Sequence, residues 1–145
     1  MARVRKKSWQ QKVKIVQNSF LRSSQDLSFA RLFYENLFFL NPVIKDYFSN
    51  TDFPHQEKAL MRGIEFLIAF LDQTDENARR QILRIATSHS ASGMKIHPHH
   101  YYYWIEALIM TVKKLDKDWY QDQEYYWREV ITFPTSFIIS QYFNK

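Results

Sequence analysis

The sequence predicts an all-α domain, and three observations carry that prediction. Apolar residues recur at helical spacing through six segments of the chain. Only two glycines occur, Gly63 and Gly93, too few for β-rich folds that need a turn every ten residues or so. No stretch alternates apolar and polar residues at period two for long. With 145 residues, 46% hydrophobic and 17% aromatic, the chain is too apolar for disorder and fits one domain, residues 1–145, with 1–7 as a basic tail. The absence of cysteine excludes disulfides, Cys-ligated zinc or iron–sulfur sites and a thiol nucleophile. The glycine shortage also argues against Gly-rich phosphate loops.

The elements follow in order. Trp9, Val13, Val16 and Phe20 share one helical face, and Phe29, Phe33, Leu37 and Leu40 form a second stripe. Asn41-Pro42 breaks it, and Pro42 suits the first position of a short new turn. Asp52-Phe53-Pro54 precedes a third stripe of Leu60, Ile64, Leu67 and Leu71. The polar run 72–77 reads as a connector. Ile82, Ile85, Ala86 and His89 form a fourth stripe, with Gly93 just past its end, where a left-handed C-cap is wanted. Pro98 opens a fifth helix carrying Tyr101, Trp104 or Ile105, Leu108, Val112 and Leu115. The sixth runs over about 121–142 with Val130, Phe133 and Phe137 inward, and Pro134, lacking a backbone donor, is expected to kink it.

The net charge of +5 is concentrated at one end. Residues 1–14 carry Arg3, Arg5, Lys6, Lys7, Lys12 and Lys14 and no acid, so the remaining 131 residues carry −1. Such a segment is either a phosphate- or membrane-surface arm or simply a solvated tail and first helical turns, and the second reading is the more economical. The mixed stretch 8–17 is no secretory signal, and Ile64 to Leu71 is far shorter than the ~20 residues of a membrane span, so a cytoplasmic protein is expected.

The informative feature is His89, a polar residue on an apolar stripe. Burying an imidazole is costly unless both ring nitrogens find partners. Most such histidines are satisfied core or capping residues. The alternative is a metal ligand, with Nδ1–H held by a carbonyl of its own helix and Nε2 on the metal. One histidine holds only a metal that brings its other ligands, as iron does in haem.

An ordered set of segments resembles the bacterial single-domain globins and the globin domain of flavohaemoglobins. Phe33-Tyr34-Glu35-Asn36-Leu37-Phe38, Asn41-Pro42 and Asp46-Tyr47-Phe48 look like their B–C region. Gln56-Glu57-Lys58-Ala59-Leu60 looks like the start of the distal E helix. Ile85 to Gly93, then Pro98 and Tyr101, looks like the F helix leading to the G helix, and Trp127 with Phe137-Ile138 fits the H helix. The resemblance spans about residues 8–143. It implies a three-over-three helical sandwich around haem b (iron protoporphyrin IX), with His89 as the metal ligand. Phe48 would pack on the porphyrin, and Tyr34 and Gln56 would donate hydrogen bonds to bound O2, with Leu60 over the iron. Phe33, Tyr101, Trp104 and either Met94 or Ile96 complete the implied haem contacts. His55 enters the distal pocket instead of Gln56 if the register slips by one residue.

Two departures from the family stand out. The corner between His89 and Tyr101 is about two residues longer. Gln141 stands where flavohaemoglobins carry a glutamate linked through a tyrosine, matched by Tyr101, to the proximal histidine. An amide confers no anionic character, so strong peroxidase-like activation is not expected. His97, His99 and His100 look like solvated imidazoles around Pro98, although His97 is within reach of a haem propionate. The resemblance implies reversible binding of O2, and of NO or CO, with tight, slowly released O2. NO dioxygenation would need an external reductase. Neither membrane nor nucleic acid is an expected partner. The rival readings are a gas or redox sensor acting through a partner, and a haem-free helical interaction module.

Overall fold

A computed structural model of the chain describes residues 6–71, 74–89 and 97–141. Six α-helices account for most of them: α1 (Trp9–Ser23), α2 (Phe29–Leu40), α3 (Phe53–Phe70), α4 (Glu76–His89), α5 (His100–Leu115) and α6 (Gln123–Ser140). A 3-10 helix, Pro42–Phe48, joins α2 to α3. No strand occurs among the described residues.

Local chemistry sets the helix starts. The Ser8 hydroxyl accepts from the Gln11 N–H at 3.1 Å while the Gln11 amide accepts from the Ser8 N–H at 2.7 Å, a reciprocal cap on α1. Asn41 accepts from the Val43 N–H at 3.1 Å with Pro42 as first residue of the 3-10 turn. Asp52 caps α3. Pro98 lies two residues before the fifth helix rather than in it: residues 97–101 form a turn of i to i+3 bonds, and α5 begins at His100.

The principal pairings are α2 on α5, α3 on α4 and α1 on α6, with α6 also meeting α3, α4 and α5. They place α1, α3 and α4 over α2, α5 and α6, a three-over-three sandwich. Its core includes Val16, Phe33, Ile64, Ile82, Leu108, Val112 and Trp127, all fully buried.

In α6, Phe133 is 43% exposed, not inward, although its ring meets those of Trp9 and Phe70. Val130 is fully buried and Phe137 packs against the core as expected, but the inward face is centred on Trp127, Ile131, Pro134 and Ile138, and burial of the large indole leaves Phe133 at the edge of that face. The helix continues through Pro134, which is itself buried in the layer.

One buried polar group ties this frame together. The Asp116 carboxylate, at the end of α5, accepts from Arg22 at 2.6 and 2.9 Å, from Ser19 Oγ at 2.7 Å and from Gln123 Nε2 at 2.9 Å. Trp127 Nε1 donates to Ser19 Oγ at 2.9 Å. One carboxylate thus fixes α1 against the α5–α6 corner.

Candidate functional site

Between the layers lies a cavity of about 280 Å³, bordered by α2, the 3-10 helix, α3, α4, α5 and α6. Its walls are mostly apolar: Leu37, Ile44, Phe48, Leu60, Leu67, Ile85, Trp104 and Ile138. Among the polar residues that border it are His89 from α4, Tyr34 from α2 and Gln56 from α3, with Tyr47, His100, Tyr101 and Thr135.

His89 is the last residue of α4. Its Nδ1–H donates to the Ile85 carbonyl, one turn back, at 2.8 Å, with Ser88 Oγ at 3.0 Å as a second acceptor. A carbonyl accepts only, so this bond puts the proton on Nδ1 and leaves the Nε2 lone pair bare. Nε2 has no hydrogen-bond partner among the described residues. Burial lowers the pKa of the ring against the opposing pull of the Ile85 bond, which keeps the imidazole neutral. A neutral imidazole with one bare nitrogen at an apolar cavity is the form that ligates a metal.

Tyr34 stands inside an aromatic cage. The rings of Phe33, Phe38, Phe48 and Phe53 lie 5.2–5.9 Å from its own, so packing fixes the phenol. Gln56 Nε2 donates to its hydroxyl at 2.9 Å. The hydroxyl therefore accepts from the amide and keeps its own hydrogen for another acceptor. Burial pushes its pKa up to about 12, partly offset by the Gln56 bond, so the phenol is a donor at any physiological pH.

The implied haem contacts fall into three groups. Tyr34, Phe48, Gln56, Leu60, His89, Tyr101 and Trp104 border the cavity. Phe33 does not: it is fully buried and stands edge-on behind Tyr34 and Trp104, because the residue before Tyr34 points a helical third-turn away. Met94 and Ile96, and the C-cap position Gly93, lie outside the described residues. His55 is exposed and Gln56, not His55, meets Tyr34. Gln141 is the C-cap of α6. His97 and His99 contact each other, while His100 borders the cavity with its ring 5.2 Å from that of Tyr47. Among the described residues no group of three or more metal-ligating side chains converges.

Sequence reasoning missed several cavity residues. Leu37 follows Tyr34 by three, Ala59, Gly63 and Leu67 continue the face of Gln56 and Leu60, and Ile85 precedes His89 by four. Helical spacing alone contains that signal. Tyr47, His100, Thr135 and Ile138 reach the cavity only through tertiary packing.

The donor set fits a haem: one bare imidazole nitrogen, an aromatic and aliphatic lining, and a phenol–amide pair on other walls of the same cavity. A globin family model matches residues 31–136. No curated protein matches. Among solved structures, a Pseudomonas aeruginosa protein described as structurally highly homologous to a human hemoglobin is similar at a TM-score of 0.83 and 27% identity, over 90% of this chain and 98% of that one. The chain belongs to the globin family, and membership implies a haem cofactor and small gaseous ligands.

Proposed function

We propose that the cavity holds haem b with His89 as the proximal ligand, and that the protein reversibly binds O2, and also NO and CO. The observation that carries this reading is a single cavity bordered both by His89, whose Nδ1 is held by the Ile85 carbonyl, and by the Tyr34–Gln56 pair. Bound there, haem supplies an iron with a free coordination position for a diatomic ligand.

The chain's own residues do the rest. The Ile85 carbonyl orients the His89 ring and fixes its tautomer. The Gln56 amide orients the Tyr34 hydroxyl, whose remaining hydrogen is available to a ligand that carries partial negative charge. The aromatic cage excludes water and strengthens that hydrogen bond. Bonds of this kind contribute about 1.5–3 kcal/mol each, which favours slow O2 release over easy unloading. NO dioxygenation is the reaction this donor pair would support, with electrons from a separate reductase.

Absorption spectra of the purified protein, ferric and ferrous, test the assignment. An intense violet band that shifts with CO is expected, and it should vanish in His89→Ala while the helical content stays. Unchanged haem uptake in that variant would overturn His89 as the ligand. A colourless wild-type chain that takes up no haemin would favour a haem-free helical module.

A further inference from the structure

Gly63 is the only glycine among the described residues, and it sits in the middle of α3. Glycine in a helix interior is costly relative to alanine, so its presence asks for a reason. A left-handed backbone is one reason, but Gly63 is helical and its φ is not positive. Close approach of another segment is a second, but a Cβ built at Gly63 meets no heavy atom within 4 Å. No neighbouring helix leans on it. Gly63 does border the cavity, with Leu60 one turn before it and Leu67 one turn after it on the same wall.

We propose that Gly63 is a notch between Leu60 and Leu67 that receives the edge of a flat, rigid macrocycle, a tetrapyrrole, and so sets how deeply such a ligand lies against α3. This rests on the haem reading above. The space beside Gly63 is open in the protein alone, so the glycine is unfavourable for the folded chain by itself and favourable only once a ligand fills the gap. Gly63 is a positioning residue: it offers no donor and acts by leaving room.

The test separates the ligand from the fold. The rate of haem loss from the haemin-loaded full chain to an excess of a haem acceptor is measured for wild type, Gly63→Ala, Gly63→Leu and Arg62→Leu. Thermal unfolding of each haem-free chain is measured alongside. Overfilling a packed site costs enough that Gly63→Leu should lose haem about tenfold faster or more, with Gly63→Ala between it and wild type. The exposed Arg62→Leu should match wild type. The haem-free Gly63→Ala chain should melt at the same temperature as wild type or higher. Haem loss from Gly63→Leu at the wild-type rate overturns the notch while leaving the haem assignment intact. A haem-free Gly63→Ala chain that melts lower shows that the glycine serves the fold, and overturns it too. Failure of the wild type to take up haemin removes the functional reading and the notch together.

Discussion

Tyr34 is held from two directions, and the two holds do different things. The surrounding rings fix where the phenol lies, while the Gln56 amide fixes where its hydrogen is free to point. Tyr34→Phe keeps the cage and deletes only the donor. O2 release, followed by stopped flow, should then accelerate about tenfold or more, from the loss of one hydrogen bond to a charged acceptor. An unchanged release rate would remove Tyr34 from the ligand-binding role. At this scale the sequence was partly legible. His89 stands out because it is polar on an otherwise apolar stripe, whereas Tyr34 and Gln56, each beside other polar residues, are picked out only by the resemblance to bacterial globins. Phe33 shows the limit: adjacent residues on a helix point about 100° apart, and a stripe shared with its neighbour does not say which of two aromatic rings meets the cavity.

Between elements, the strongest tie is the Asp116 carboxylate that joins α1 to the α5–α6 corner. Burial alone would raise its pKa, but the bonds from Arg22, Ser19, Gln123 and the Asp118 N–H together hold it well below the usual carboxylate range. A folded-state value below the unfolded one means the contribution is present above about pH 4 and is lost as pH falls through the folded value. Asp116→Ala removes the main acceptor of the Arg22 guanidinium and of the buried Ser19 hydroxyl and Gln123 amide, and should lower stability by about 3 kcal/mol. Thermal or urea unfolding at pH 7 measures this, and the gap between wild type and variant should shrink as the pH is taken below 4. A gap that stays constant down to pH 2 would show that the carboxylate's charge is irrelevant to the tie. None of this network was anticipated, because its members are ordinary polar residues spread from position 19 to 127 and only tertiary packing brings them together. The cap on α1 was legible and missed: Ser8 and Gln11 have capping-box spacing. On α6, Val130 and Phe137 pack inward as expected and Phe133 does not, since two apolar stripes run side by side there and only the partner surface decides between them.

For the whole molecule, all six helices followed from apolar periodicity, but the cavity did not, because a stripe reads the same whether it packs on another helix or on a ligand. That ambiguity has a thermodynamic consequence. In the haem-free chain the walls around the 280 Å³ cavity lack the contacts a filled interior would have, so the protein alone should be less stable than a fully packed domain of its size. A ligand that enters only the folded state stabilises it by mass action, by about 2.7–4.1 kcal/mol at a free concentration 100 to 1,000 times its Kd. For a chain of this length each kcal/mol moves the midpoint by roughly 3 °C, so haemin should raise Tm by roughly 8–12 °C. The shift should grow with haemin concentration and shrink markedly in His89→Ala, which keeps the apolar walls and deletes the coordinating nitrogen. A shift of equal size in that variant would mean that haemin is held by the oily walls alone. No shift in wild type would mean that the cavity is not where the haem binds.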